Sequence, residues 1–546
     1  MATLVTDPEA DRRLDRRGTC GARADAGPAE PKAVDLLVIG GGINGAGIAR
    51  DAAGRGLDVL LCEKDDLGAH TSSASTKLIH GGLRYLEQRE FRLVRHSLQE
   101  REVLLRNAPH IIWPLRFVLP HHAGLRPWWM IRLGLFLYDH LGGRELLPPC
   151  ASVDLHRHVN GQALKRGYRR GFEYSDCWVQ DARLVVLNAR DAHARGAEIR
   201  TRTECVSLAR RGSRWEATLV DRITGSRSTV SARCVVNASG PWVGKTLDLE
   251  TGAEASHHVR LVKGSHIVVR RLFDHPYPYI FQSGDGRVLF AIPFEEDYTL
   301  LGTTDVEIEA DPGPVSIDPQ EVDYICATVN EYFETPISPD DIVWSYSGIR
   351  PLFDDHAENA SEVTRDYVLH VRRGPAPLLS VYGGKITTYR RLAEQAVDLL
   401  AEPLGFDARA WTRDAPLPGG DIPGADIGGF TERCTASYPW LGERLLRHYV
   451  RHYGTDIHTL LAGCAGIDDL GEHFGAGLYE AEVAHLVAHE WARTPDDILW
   501  RRTKKGLTMS GEGERRLREF LEAAAIPADG PHPADSRETS APADEE

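Results

Sequence analysis

Strand-like and helix-like patterns of apolar residues alternate along most of the chain. Apolar runs of strand length occur at DLLVIG (35–40), RCVVNAS (233–239), SHIVVR (265–270), RVLFAIP (287–293) and LLSVYGG (378–384), with helical stretches between them. From about residue 400 the helical pattern takes over, for example in YEAEVAHLVAHEWAR (479–493). The pattern predicts a mixed α/β body followed by a helical C-terminal domain.

Length and composition indicate a globular protein with more than one domain. The 546 residues exceed the ~250–300 at which one hydrophobic core usually stops growing. A content of 42% apolar residues excludes disorder for most of the length, and the net charge of −15 argues against general nucleic-acid binding, which needs a basic surface. The nine cysteines are scattered and never spaced CxxC, so neither a disulfide framework nor a zinc site is indicated.

Both ends of the chain lack periodicity. Residues 1–33 and 525–546 mix small, proline and charged residues, which predicts flexible tails. No apolar stretch follows the arginine pairs near the start before Val34, so a signal peptide is not expected. No run of 18 apolar residues occurs, and the most hydrophobic window, PWWMIRLGLFLYDHLG (127–142), is interrupted by Arg132 and Asp139. A membrane-spanning helix is therefore not expected.

A glycine motif follows the first predicted strand. Gly40, Gly42 and Gly45 have GxGxxG spacing, with a helix after them and Glu63 at the end of a second strand. The first glycine permits a tight turn, the second lets a pyrophosphate approach the backbone, and the third lets the helix pack on the strand. Glu63 is placed to accept hydrogen bonds from an adenosine ribose. These residues predict a dinucleotide site, the alternative being a tight turn without a ligand.

The stretch after Glu63 favours a flavin over a nicotinamide. A simple NAD enzyme is expected to continue with a third βα unit, but here the chain enters the polar run SSASTKLIHGGLRYLE (72–87). Its hydroxyl and backbone donors suit a flavin, and Gly81 and Gly82 would let the chain lie against the ring; a Ser-rich surface loop is the alternative. Two later segments, 233–245 and 378–396, predict further returns to the cofactor. The second could equally be a strand, loop and helix capped by a threonine.

Several motifs together resemble one family. IGGGINGAGIARDAAGRGLDVLLCEKDDL, TSSASTKLIHGGLRYLE, GFEYSDCWVQDARLV, LVKGSHIVV, LGTTDVE, WSYSGIRPL, VYGGKITTYR and the C-terminal HEWARTPDDILWRRTKKGL are similar to FAD-dependent glycerol-3-phosphate dehydrogenases over about residues 34–522. The resemblance implies oxidation of sn-glycerol 3-phosphate to dihydroxyacetone phosphate on non-covalent FAD, with electrons passed to a membrane quinone. It implies a Rossmann-like FAD-binding domain, an antiparallel-sheet substrate domain of the D-amino-acid-oxidase type and a helical C-terminal domain.

The resemblance also implies boundaries. The oxidoreductase region is expected at 34–399, with FAD-binding segments at about 34–110, 180–245 and 345–399 and substrate segments at about 111–179 and 246–344. The helical domain is expected at 400–524. Three alternatives stay open: a glycerol-3-phosphate oxidase that uses oxygen, an amine or hydroxy-acid oxidoreductase of the same fold, and an FAD-binding scaffold without activity.

By the same resemblance, residues of the motifs receive roles. His266 is the candidate base because an imidazole can titrate near neutral pH, and Arg350 and Lys385 would stabilise negative charge. The substrate residues are Arg84, Tyr85, Arg350, Arg365 and Lys385, since arginines suit a phosphate. The cofactor residues are Gly40, Gly42, Asn44, Gly45, Glu63, Ser72, Ser73, Lys77, Leu78, His80, Gly81, Gly82, Ala238, Gly240, Gly384, Lys385, Ile386, Thr387 and Thr388.

The remaining expectations concern metals, membranes and assembly. His485, His489 and Glu490 do not form HExxH, because Leu486 stands where the glutamate belongs, so no metal is expected. Trp128 and Trp129, with arginines nearby, suit a bilayer interface. We therefore expect a cytoplasmic protein docked on the inner face of the membrane. A helix buried between domains is the alternative for this segment, and a homodimer is left open.

Overall fold

The computed structural model describes residues 31–250, 259–283, 286–309, 311–353, 366–407 and 409–524. The predicted tails lie outside the described residues, apart from positions 31–33. Within the described part of the chain, no helix is both long and apolar enough to cross a bilayer.

The strands follow the apolar runs of the sequence. They are β1 (Lys32–Ile39), β2 (Val59–Cys62), β3 (Leu78–Ile79), β4 (Ile112–His121), β5 (Ala151–Asp154), β6 (Arg170–Val179), β7 (Glu198–Arg200), β8 (Thr203–Arg211), β9 (Arg214–Asp221), β10 (Arg227–Asn237), β11 (Val259–Arg270), β12 (Tyr279–Gln282), β13 (Val288–Phe294), β14 (Tyr298–Gly302), β15 (Val306–Ile308), β16 (Ile342–Phe353), β17 (Val368–Arg372), β18 (Leu378–Tyr382), β19 (His473–Gly475) and β20 (Leu478–Tyr479).

The helices lie between the strands and dominate the C-terminal part. They are α1 (Ile43–Gly54), α2 (Phe91–Asn107), α3 (Trp128–Leu141), α4 (Asp181–Ala194), α5 (Val243–Asp248), α6 (Pro319–Tyr332), α7 (Tyr389–Leu404), α8 (Ile427–Ser437), α9 (Glu443–Tyr453), α10 (Ile457–Leu460), α11 (Glu480–Glu490) and α12 (Gly511–Ala523).

The first sheet has a parallel centre. Its order is β17-β18-β10-β1-β2-β7, in which β1 pairs in parallel with β2 and β10, and β10 with β18. The strands β8 and β9 continue from β10 as antiparallel neighbours. Helix α1 packs against α4 and α7, and its small residues Ala46, Ala49 and Ala52 are fully buried there. The carboxyl ends of β1, β10 and β18 therefore meet at one edge of the sheet, which is where open α/β sheets bind ligands.

The second sheet is antiparallel except where β12 meets β4. Its order is β15-β11-β14-β13-β12-β4-β6-β3, with β16 on β11 and β5 on β6. The short strand β3 comes directly after the serine-rich run and pairs with β6. That run is thus the passage from the first sheet to the second, which explains why no βα unit follows Glu63. The predicted combination of a Rossmann-like sheet with an antiparallel substrate sheet is confirmed.

The C-terminal part contains α8 to α12 and one small hairpin, β19-β20, that the sequence patterns did not predict. In α9, Leu446, Tyr449, Val450 and Tyr453 follow the i, i+3, i+4, i+7 spacing and are all buried. This part meets the first sheet through charges: the carboxylate of Asp66, after β2, accepts hydrogen bonds from Arg502 at 2.6 and 2.9 Å. The prediction of a helical C-terminal domain is confirmed.

Candidate functional site

A cavity of about 620 Å³ opens where the two sheets meet. It is lined by the carboxyl ends of β1, β2 and β10, by the serine-rich run and by the turn between β18 and α7. Residues of β11, β12, β13 and β16 and the segment after β14 also line it. Ligand sites of this volume are ordinary for enzymes that bind small organic molecules. Segments far apart in the chain thus enclose one space.

The glycine motif forms one wall. Gly40 has φ +109°, and a side chain there would meet the carbonyl oxygen of Ala238 at 2.6 Å. A side chain at Gly45 would meet the carbonyl oxygen of Gly40 at 1.9 Å. Gly42 precedes the first turn of α1 and lines the cavity. The backbone of strand and helix therefore approaches more closely than any larger residue would allow, and the helix N-terminus faces the cavity.

Glu63 lies at the end of β2, where the sequence places it. Its Oε2 accepts a hydrogen bond from the backbone N–H of Gly41 at 2.7 Å, and its Oε1 accepts one from Asp65 N–H at 2.8 Å. Burial raises the pKa of this carboxyl group, and the two backbone donors oppose that rise. Glu63, Asp65 and His70 have ligand atoms within 4.8 Å of one another. These atoms are already joined to one another or to the backbone by hydrogen bonds, so we assign no metal to them.

Trp242 lines the same cavity as Glu63, and the sequence patterns did not single it out. Its ring lies 4.6 Å from the ring of His70, centre to centre, and Lys64 Nζ lies 3.7 Å above it. The residue stands after β10 in the segment 233–245, which was predicted to return to the cofactor, although Trp242 itself was not singled out.

The serine-rich run splits into cavity-lining and supporting residues. Ser72 Oγ accepts a hydrogen bond from Ile43 N–H, in the first turn of α1, at 3.0 Å. Lys77 adopts φ +61° and is fully buried, and its Nζ donates to both oxygens of Asp181 at 2.9 and 2.8 Å and to Ser73 O at 3.0 Å. Ser73 and Lys77 therefore hold the loop from behind and do not line the cavity.

The glycine pair ends the run with a sharp turn. Gly81 N–H donates to the Tyr138 hydroxyl at 2.8 Å, which ties the loop to α3, and Gly82 has φ +75°. The next turn, Leu83–Leu86, carries Arg84 and Tyr85 into the cavity wall. From the opposite segment, Lys385 Nζ lies 3.6 Å above the ring of Tyr85.

Arg350, on β16, also lines the cavity. Its guanidinium forms an ion pair with Asp305 and donates to Thr303 Oγ1 at 3.0 Å. A side chain at Gly264 would meet the guanidinium at 2.4 Å, so this glycine makes room for it. Neither Asp305 nor Thr303 was predicted from the sequence, although both belong to the motif LGTTDVE.

His266 lies behind the cavity wall. It is 1% exposed, it stacks on Tyr346 with ring centres 4.8 Å apart, and its Nε2 lies 2.9 Å from Thr76 Oγ1. Burial, with the charges of Arg350 and Lys77, holds the pKa of His266 well below its ordinary value, so the imidazole is neutral. Thr76 lines the cavity and stands between the histidine and any ligand there.

Most predicted residues meet at this cavity. Those that line it are Arg84, Tyr85, Arg350, Lys385, Gly40, Gly42, Asn44, Glu63, Ser72, Leu78, His80, Gly82, Ala238, Gly240, Gly384 and Ile386. Predicted residues that do not line it are His266, Gly45, Ser73, Lys77, Gly81, Thr387 and Thr388. Arg365 lies outside the described residues.

Comparison with known families identifies two matches. The model of the FAD dependent oxidoreductase family matches residues 35–390, and the model of the C-terminal domain of alpha-glycerophosphate oxidase matches residues 410–526. The first match covers the two sheets and the cavity, and the second covers the helical part.

Individual relatives match nearly the whole chain. A D-erythritol 1-phosphate dehydrogenase of Brucella abortus is 52% identical, covering 89% of this chain and 97% of that protein. A glycerol-3-phosphate dehydrogenase of Pseudomonas aeruginosa is 51% identical, covering 90% and 95%. The crystal structure of a glycerol-3-phosphate dehydrogenase from Bacillus halodurans complexed with FAD is similar with a TM-score of 0.69 and 26% identity, covering 90% of this chain and 94% of that one.

The residues of the cavity fit FAD. The close approach of Gly40, Gly45 and Ala238 puts backbone beside the N-terminus of α1, as a pyrophosphate requires. Asn44 lines the cavity, and its Oδ1 is buried with no hydrogen-bond partner among the described residues, although its Nδ2 donates to Gly383 O at 3.3 Å. Such an orphaned polar atom is expected where a ligand completes the site.

Replacing Gly45 with alanine tests whether the close approach of β1 and α1 is needed to bind FAD. The new Cβ would lie 1.9 Å from Gly40 O, so strand and helix must separate and the FAD content of the purified protein should fall to below about a tenth of wild type. Gly134→Ala is the matched control, because nothing lies within 4 Å of its Cβ position. Flavin absorbance per protein measures the result, and full FAD occupancy in Gly45→Ala would contradict the assignment.

Proposed function

Because this chain belongs to the family of FAD-dependent oxidoreductases that includes the glycerol-3-phosphate dehydrogenases, we propose that it oxidises sn-glycerol 3-phosphate to dihydroxyacetone phosphate and delivers the electrons to a membrane quinone. It is an FAD enzyme, and the cofactor, held non-covalently, supplies the hydride acceptor. One observation carries the proposal: a single cavity is lined both by the glycine loop and by the cations Arg84, Arg350 and Lys385.

The cations of the cavity suit a phosphate. Arg350 presents a planar fork of donors, which matches a phosphate better than a point charge does. Asp305 neutralises it, so a phosphate must compete with that carboxylate for the guanidinium. Arg84 and Lys385 add two further positive charges to the lining of the same cavity. Because the net charge of the chain is −15, the attraction of the anionic substrate must come from this local cluster.

The proton of the substrate hydroxyl needs an acceptor when the hydride leaves its carbon. His266 is neutral, and in the tautomer with a proton on Nδ1 its Nε2 accepts from Thr76 Oγ1. A proton received by Thr76 at the cavity wall would then pass to Nε2. Arg350 lowers the pKa of His266, so a phosphate bound to Arg350 would raise that pKa and favour the transfer. His266 thus acts through Thr76.

D-erythritol 1-phosphate, which has a longer carbon chain, is a second candidate substrate. The Brucella abortus relative is named for D-erythritol 1-phosphate, and it is 52% identical to this chain, against 51% for the Pseudomonas aeruginosa glycerol-3-phosphate dehydrogenase. Both compounds are polyol phosphates, so the same cations would hold either. The match to an oxidase C-terminal domain likewise keeps oxygen as a candidate acceptor.

The exposed apolar face of helix α3 supports the proposal that the electron acceptor lies in the membrane. Its side chains Trp129, Leu133 and Phe136 are 64%, 51% and 51% exposed and fall on one face, whereas Leu135 and Tyr138 are buried. Tyr138 is the residue whose hydroxyl contacts the Gly81 loop. The predicted contribution of Trp128 is smaller, because its ring stacks on Phe172 at 3.9 Å between centres. We propose that the exposed face of α3 docks on the inner face of the membrane.

Anaerobic flavin titration tests the reaction. Adding sn-glycerol 3-phosphate without oxygen should abolish the oxidised flavin band, and D-erythritol 1-phosphate should do so at least about tenfold less efficiently. Amino acids and lactate serve as controls. Faster bleaching by D-erythritol 1-phosphate would reassign the substrate, and stoichiometric hydrogen peroxide release in air would reassign the acceptor.

Arg350→Ala tests phosphate recognition. Loss of a charged hydrogen-bond partner should cost ~1.5–3 kcal/mol, or roughly one to two decades in kcat/KM for sn-glycerol 3-phosphate. Arg270→Ala, on the exposed end of β11 and away from the cavity, is the control. A well-folded, FAD-loaded Arg350→Ala protein with wild-type kcat/KM would remove Arg350 from the substrate site.

A double substitution of Trp129 and Phe136 by serine tests docking. Burying a large apolar side chain contributes ~1.5–3 kcal/mol, so vesicle binding in a co-sedimentation assay should weaken by at least about tenfold. The control replaces two exposed apolar residues elsewhere, Ile223 and Ile467, which are 58% and 39% exposed. If both double variants sediment like wild type, the membrane contact is not α3.

A further inference from the structure

Five directly paired residues cross the second sheet in one row. They are Tyr346 on β16, His266 on β11, Gly302 on β14, Phe290 on β13 and Ile280 on β12. Residues directly opposite each other in antiparallel strands place their side chains on the same face of the sheet. The other face of these strands packs on α6. The row therefore faces the cavity, which Phe290 and Ile280 line.

Two glycines show where the polar groups lie on this face. A Cβ at Gly302 would lie 3.0 Å from His266 Nε2, so the imidazole occupies the space over Gly302, the residue that pairs with Phe290. A Cβ at Gly264 would clash with the guanidinium of Arg350, and Gly264 precedes His266 by two positions, roughly 7 Å along β11. The guanidinium, the imidazole and the phenylalanine side chain therefore succeed one another across the face.

An apolar wall, formed by Phe290, Val288 and Ile280, lies beyond the imidazole. All three side chains line the cavity and are half-buried, and Val288 shares the face of Phe290 because it stands two positions before it. The ring of Phe290 packs edge-on against the buried ring of Phe117, with centres 5.7 Å apart, which holds it in place. None of the three side chains can donate or accept a hydrogen bond, so the wall offers a hydroxyl group no partner.

The far end of a polyol phosphate would meet this wall. In the proposed function, Arg350 holds the phosphate, and the hydroxyl beside the phosphate-bearing carbon lies at Thr76, in front of His266. Beyond that hydroxyl, sn-glycerol 3-phosphate has one carbon and D-erythritol 1-phosphate has two. The additional carbon and its hydroxyl would lie against Phe290, where both the lost space and the unpaired hydroxyl disfavour binding.

We propose that Phe290, together with Val288 and Ile280, sets the chain length of the substrate by admitting a three-carbon polyol phosphate and disfavouring longer ones. This inference rests on the proposed function and deepens it, because it names the residue that decides between the two candidate substrates. A wall of this kind should discriminate by about 10- to 100-fold in kcat/KM.

Turnover of the FAD-loaded protein with a soluble dye acceptor and either polyol phosphate tests the wall. In Phe290→Ser, which opens space and supplies a hydroxyl, the ratio of kcat/KM for D-erythritol 1-phosphate to that for sn-glycerol 3-phosphate should rise about 10- to 100-fold over wild type. Val288→Thr adds a hydroxyl at nearly the same volume and should raise the ratio about three- to tenfold.

Phe520→Ser is the matched control. Phe520, in α12, is half-buried like Phe290, and its ring also packs edge-on against a second phenylalanine, Phe474, with centres 5.4 Å apart. It does not line the cavity, so the ratio should stay at the wild-type value. If Phe290→Ser purifies without FAD, Phe290→Leu takes its place, with an expected rise of about three- to tenfold.

Further measurements separate the possible failures. Calorimetric titration with inorganic phosphate should give the same Kd for wild type and Phe290→Ser, since phosphate binds at Arg350; a Kd at least about tenfold higher would show that Phe290 acts on the phosphate site instead. Wild-type ratios in both Phe290→Ser and Val288→Thr, or a wild type that prefers D-erythritol 1-phosphate, would overturn the inference. Turnover of neither compound by wild type would remove the proposed function, and the inference with it.

Discussion

Buried ion pairs hold the loops that enclose the cavity. Lys77 and Asp181 pair with both side chains fully buried, Arg101 pairs with Asp176 at 2.8 Å, and Asp66 pairs with Arg502. Taking such charges out of water is costly, so each pair persists only because further hydrogen bonds complete it, and losing one partner costs ~3–5 kcal/mol. Each pair also joins segments far apart in the chain. The loops that form the walls of the cavity are therefore held from behind.

The sequence predicted the features that depend on local pattern. The strand ends, the glycine turn and Glu63 follow from apolar periodicity and from the steric limits at Gly40 and Gly45. The same pattern could not divide the serine-rich run into lining and supporting residues. Lys77 turns away from the cavity because its backbone adopts φ +61° and Asp181, on α4, attracts its charge. A backbone angle and a partner 104 positions away leave no trace in a local motif.

Two of the residues that sequence reasoning missed, Thr303 and Asp305, owe their place to strand register. On β11, His266 pairs with Gly302 of β14 on one side and with Tyr346 of β16 on the other. A side chain at Gly302 would meet the imidazole at 2.3 Å, so that glycine admits His266, as Gly264 admits the guanidinium of Arg350. Thr303 and Asp305 reach Arg350 only because β14 and β16 flank β11. No single segment shows this three-strand arrangement, although each motif was recognised by itself.

In the proposed function, α3 links the flavin site to the membrane. Its buried face carries Tyr138, whose hydroxyl donates to Asp176 at 2.6 Å and accepts from Gly81 N–H. Burial raises the pKa of Tyr138 well above its ordinary value, so the hydroxyl keeps its proton and both hydrogen bonds at physiological pH. The opposite face is apolar and exposed. In the proposed docking, one side of α3 contacts the Gly81 loop and the other contacts lipid, which would give a short path between flavin and bilayer for electrons bound for a lipid-dissolved acceptor.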